Sequence, residues 1–153
     1  MIRHAIKNVK PKFTGKCYRY VKRALAASPP GTKGKGLTAG PDGDIAALNA
    51  SVTLKKYGFI NLLDKAPYTK LLRENPASGP IGAIYIYASG IPCKGTKVFI
   101  KDCGHIEIKT GLTDKNAFVS DFPSDMPISE KEQNKKRKRK YKLVSVMIKE
   151  DIN

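Results

Sequence analysis

Acidic residues are scarce in this chain: 13 Asp and Glu stand against 29 Lys and Arg, a formal charge of +16 over 153 residues. Such a surface attracts polyanions, so nucleic acid, teichoic acid, lipopolysaccharide and anionic membrane are all expected classes of partner; charge alone does not choose among them. No apolar run reaches the ~18 residues of a membrane-crossing helix, and none near the start resembles the apolar stretch of a signal peptide. The expectation is a chain made in the cytoplasm, so that any work outside it needs delivery by another route. Cysteine and histidine are sparse as well. Cys17, Cys93 and Cys103 form no CxxC pair, and His4 and His105 do not cluster with them. That spacing argues against structural zinc, and no metal or cofactor is expected. Cys93 and Cys103 are close enough to clip a loop as a disulfide in an oxidising compartment, or to stay two thiols in a reducing one.

What remains is ordinary globular composition, 41% apolar and 27% charged, at a length suited to one core. A single catalytic domain over 1–153 is expected, its core at 13–122 and 141–149. Gly15 to Ala27 has a helical stripe of Cys17, Tyr20, Val21, Ala24 and Leu25, with Lys16, Arg19, Lys22 and Arg23 facing away. Ser28 to Gly43 is dense in Gly and Pro and reads as a loop lining a cleft. It lacks the GK[ST] ending and the preceding strand of a phosphate cradle. A second helix is expected from about Asp44 to Lys56, with Ile45, Leu48, Val52 and Ala47 inward and Gly58 ending it. Ile60 to Asn75 is ambiguous, with a short helix possible after Pro67.

From Pro80 the pattern changes to strands at Ile81–Tyr87, Lys97–Lys101, His105–Lys109, Ala117–Phe122 and Tyr141–Lys149. Helices before strands predict an α+β domain, an antiparallel sheet with the helices on one face. Residues 123–140 read as a basic loop insertion ending in the run Lys135 to Lys140, whose like charges repel and stay solvated.

A thiol becomes a useful nucleophile as a thiolate, which a helix N-terminus and an imidazole both favour. Cys17 sits in the first turn of its helix. His105, at the start of an apolar strand, is better fixed than His4 near the chain start. A third polar group must orient the imidazole. The next strand supplies Ser120 and Asp121. Asp121 is the choice as a carboxylate, with Ser120 or Glu107 as alternatives.

Cys17-Tyr18-Arg19-Tyr20-Val21 resembles the cysteine helix of CHAP amidase domains. Pro80-Ile81-Gly82-Ala83-Ile84-Tyr85-Ile86-Tyr87 is similar to that family's first sheet strand, Gly104-His105-Ile106-Glu107-Ile108 to its histidine strand, and Ala117-Phe118-Val119-Ser120-Asp121-Phe122 to the next strand, which carries the third catalytic residue. The likeness spans roughly residues 13 to 148. Many relatives have Asp where this chain has Ala83, and their third residue is usually Asn, Glu or His. The resemblance implies a papain-like fold of the CHAP and NlpC type that cleaves amide bonds of bacterial peptidoglycan. With it come two possible settings: a type VI secretion amidase effector held in check by an immunity protein, or a phage endolysin. Either acts in the periplasm or cell wall of a target cell, where anionic envelope polymers are further possible partners. The reading from a different class is a basic nucleic-acid-binding protein, contacting its ligand through Lys135 to Lys140 and aromatic strand residues.

Overall fold

The computed structural model describes residues 1–12, 16–27, 47–90, 92, 101–111, 114–131 and 141–149. The sequence-predicted strand Lys97–Lys101, apart from Lys101, the glycine-rich loop, Asp44, Ile45, Cys93 and the basic run Lys135 to Lys140 lie outside them. The fold is α+β. Helices α1 (Ile2–Asn8), α2 (Cys17–Ala26), α3 (Ala50–Lys56) and α4 (Tyr68–Glu74) accompany strands β1 (Phe59–Asn61), β2 (Ile84–Ala88), β3 (His105–Lys109), β4 (Phe118–Val119), β5 (Pro123–Ser124) and β6 (Lys142–Lys149). The strands form one sheet in the order β1-β6-β2-β3-β4-β5, antiparallel at every pairing.

Period-two alternation gives the sheet two different faces. Ile84, Ile86, Ile106, Ile108 and Val119 point one way, onto Ala5 of α1, Val21, Ala24 and Leu25 of α2, and Ala50 and Leu54 of α3. Tyr85, Tyr87 and Phe118 point the other way, onto Leu62, Leu63 and Leu72. Helices therefore cover both faces, because α4 and the turn before it bury Leu72 on the tyrosine side. This corrects the expectation of helices on one face alone. Leu54 and Leu72 are each 0% exposed, so truncating either to Ala should cost about 2–5 kcal/mol.

Val21, Ala24 and Leu25 are buried at the spacing that the helical stripe predicted. In the second helix Ala47 is buried as expected and Ala50 and Leu54 join it, while Val52, expected inward, is 60% exposed. The helix stops at Lys56, and Gly58 just beyond its cap takes a φ of +83° that favours glycine. The chain start is not loose, since α1 buries Ala5 and the Lys10 amide donates to the Asp121 carbonyl at 2.9 Å. Residues 123–131, expected as part of a loop insertion, belong to the fold: β5 extends the sheet and the Ile128 amide donates to Glu107.

Candidate active site

Cys17 is the first residue of α2, half-buried, with its thiol free of any disulfide. Lys16, the residue capping the helix, has no side-chain capping bond of its own. Its amide donates instead to Asp121 Oδ2 at 3.3 Å, so a carboxylate from the far end of the sheet satisfies one of the helix's open N–H groups. Asp121 is 0% exposed and its Oδ1 accepts from Ser120 Oγ at 3.1 Å. Both residues expected near the imidazole thus help hold the cysteine helix in place.

β3 supplies the histidine. α2 packs directly on it, and the β3–β4 ladder covers only Ile108 and Lys109, leaving the His105 end of the strand unpaired with β4. His105 is 2% exposed, its ring among Tyr87 (6.0 Å between centroids), Phe122 (6.0 Å) and Tyr141 (5.6 Å). Such burial alone would lower its pKa. Cys17 and then Glu107, lying beside the ring, reverse that and raise it from the ordinary 6.5 to about 10. Cys17 and His105 therefore meet as one electrostatic unit.

The carboxylate beside the imidazole is that of Glu107. Two residues along β3, it lies on the same face as His105, and its Oε2 is 3.7 Å from His105 Nε2. Glu107 acts across an ion-pair separation, not a hydrogen bond, since Nε2 has no acceptor in hydrogen-bond range among the described residues. The other oxygen, Oε1, accepts from Tyr87 Oη at 2.6 Å and from the Ile128 amide at 3.1 Å. Burial, then the Glu107 charge, keeps the Tyr87 hydroxyl pKa well above its usual value, so it remains a donor. Of the three carboxylate and hydroxyl choices open in the sequence, Glu107 lies 3.7 Å from His105 Nε2, and Asp121, with Ser120 bonded to it, accepts from the Lys16 amide at the start of α2.

The turn that delivers His105 is built on Asp102 and Gly104, which the sequence offers as turn residues ahead of this strand. Asp102 accepts from the Ser89 amide (3.0 Å), Ser89 Oγ (2.7 Å), the Gly90 amide (2.7 Å) and the Gly104 amide (2.8 Å), tying the end of β2 to the start of β3. Desolvation alone would raise this carboxyl, but the Ser89, Gly90 and Gly104 bonds outweigh it and hold its pKa below the ordinary 3.8. Gly104, at φ +65°, makes the turn into His105. An Asp two residues before a turn glycine was the available signal. Cys103, between them, is disulfide-bonded; Cys93, the expected other half, lies outside the described residues.

His4 sits on α1 and its carbonyl accepts from Asn8 Nδ2 at 2.8 Å. Among the described residues no three His, Cys, Asp or Glu side chains gather as a metal site, and no helix is long and apolar enough to cross a membrane. Comparison of the chain with protein-family models, with curated proteins and with solved structures found no match.

Proposed function

We propose that this protein is a cysteine hydrolase of the papain-like CHAP and NlpC type, cleaving amide bonds in peptidoglycan peptides. The observation that carries the reading is Cys17, at the N-terminus of a helix, acting on a buried His105 that Glu107 also holds toward its protonated form. An imidazolium beside a sulfur favours the charge-separated pair that attacks carbonyls.

In this mechanism the Cys17 thiolate adds to the amide carbonyl carbon, and the backbone N–H at the helix start donates to the developing oxyanion. His105 gives its proton to the leaving amine as the C–N bond breaks, leaving a thioester on Cys17. Neutral His105 then takes a proton from water, whose oxygen attacks the thioester. The acid leaves, the thiolate returns and the imidazole is protonated again. Glu107 keeps the ring oriented and stabilises its charge throughout.

Digestion of isolated sacculi tests the proposal. Wild type should release new peptide fragments or amines and Cys17→Ala should not; equal release by both, or release by neither, refutes it. Mass spectrometry of the muropeptides would separate amidase, stem-peptide and cross-link specificities. Type VI delivery with a cognate immunity protein and holin-dependent release from a phage-infected cell are the two settings that fit. The formal charge of +16 favours a second reading, nucleic-acid binding without catalysis. Its mark would be retention of nucleic acid at moderate salt with a steep salt dependence.

A further inference from the structure

The chain begins with a long stretch free of acid: its first Asp or Glu is Asp42. Within that stretch α1 and α2 pack side by side, and between them lies a cavity of about 240 Å³ lined by His4, Ala5, Asn8, Lys10, Tyr20 and Arg23. Among the described residues no carboxylate lines it. Asp121 meets this region through its carbonyl, which receives the Lys10 amide, while its buried carboxylate accepts from the Lys16 amide and Ser120 Oγ. Lys10 and Arg23 are exposed, as are Arg3, Lys7, Lys12 and Lys16 around them. Ammonium and guanidinium groups across one groove, with a phenol and an imidazole in its wall, form a donor set suited to a phosphate oxyanion.

We propose that the groove between α1 and α2 binds a polyol-phosphate polymer of the teichoic-acid kind, one phosphodiester seated between Lys10 and Arg23 and its neighbours carried by the flanking cations. Among its described lining residues the groove offers one aromatic, the half-buried Tyr20, where a single-stranded nucleic acid needs successive stacking platforms. It offers one moderately exposed large apolar side chain, Ile6 at 38%, too little to seat acyl chains. A flexible chain of regularly spaced phosphates needs neither. The choice of a wall polymer also rests on the hydrolase reading. Arg23 lies six residues beyond Cys17 on α2, ~9 Å of helix rise, so a polymer held here would keep the thiol against the wall.

The test is a binding titration of wild type and Cys17→Ala with purified poly(glycerol phosphate), with single-stranded DNA of equal phosphate count, and with phosphatidylglycerol vesicles, at about 150 mM salt. Wild type and Cys17→Ala should bind the polyol phosphate alike and more tightly than the other two ligands. Lys10→Gln/Arg23→Gln should weaken binding about tenfold, while Lys10→Arg/Arg23→Lys retains it. Lys7→Gln/Lys12→Gln, changed at the surface alone, provides a second variant and should weaken binding about threefold. Absence of binding, equal binding by both glutamine variants, or tighter binding of DNA or vesicles overturns the proposal. Since Cys17→Ala takes part, a failed sacculus digestion leaves this result standing, and failure here leaves the digestion standing.

Discussion

β3 buries two ionisable regions on one face, and they behave in opposite ways. At one end His105 and Glu107 are 2% and 1% exposed, and the histidine's pKa rises to about 10 because Cys17 and Glu107 beside it favour its charged form. At the other end Lys109, 3% exposed, donates to the carbonyls of Gly79, at 2.6 Å, and Ala77, and desolvation pulls its pKa below 10.5. Burial is alike; the charge of the partners differs. Neutral carbonyls satisfy a cation without offsetting its lost hydration, whereas a carboxylate and a sulfur do offset it. The lysine has two carbonyl acceptors, while Nε2 of His105 has no hydrogen-bond partner among the described residues. A buried ring nitrogen held near charge but left unbonded marks the end of the strand where chemistry is expected.

The largest test of that contrast is deletion at the reactive end. Cys17→Ala and His105→Ala should each lower amide hydrolysis by about 10³-fold or more while the protein stays folded, measured by turnover and circular dichroism. Lys109→Met should leave turnover within about twofold and cost about 1–3 kcal/mol in denaturant unfolding, because two carbonyls lose their donor. Comparable turnover losses at both ends would break the distinction.

Glu107→Gln should reduce turnover about 10–100-fold. It should also move the basic limb of the pH–rate profile from near 10 toward neutrality, since an anion that raises the imidazole pKa is gone. Asp121→Asn should instead lower thermal stability and leave that limb in place, because its carboxylate holds the Lys16 amide. The reverse pattern would return the third role to Asp121.

Stability should follow pH at the histidine end too. Its folded pKa is raised, so its contribution is fully present below about 6.5 and is lost as pH rises through about 10. Thermal melts from pH 6 to 10 should decline in wild type and decline less in His105→Gln. The smallest effect belongs to Asp102, whose pKa is lowered: its contribution is present above 3.8 and fades as pH falls through its lower folded value, a slope that Asp102→Asn should flatten in acid melts.

Much of this was legible before any tertiary contact. Val21, Ala24 and Leu25 announced their burial by spacing, and β3 was readable to its end residues because His-Ile-Glu-Ile-Lys alternates without interruption. The same alternation placed Glu107 beside His105, although the choice of a carboxylate went to the next strand. Val52 misled because β-branched hydrophobicity says nothing of which side of a short helix meets the sheet. α1 and β5 were missed for lack of length: seven and two residues carry little periodic signal, and both exist through packing and pairing with distant segments.

Sequence alone determined the antiparallel α+β plan and the basic character, and singled out Cys17 and His105 as the candidate pair, since all of these follow from local periodicity, charge and residue type. Tertiary structure decided that Tyr87 and the Ile128 amide fix the Glu107 carboxylate, that Asp121 binds the Lys16 amide at the start of the cysteine helix, and that Asp102 fastens the turn into β3 to Ser89. Each of those rests on contacts between residues far apart in the chain, and a side chain's partner there is set by packing rather than by its neighbours in sequence.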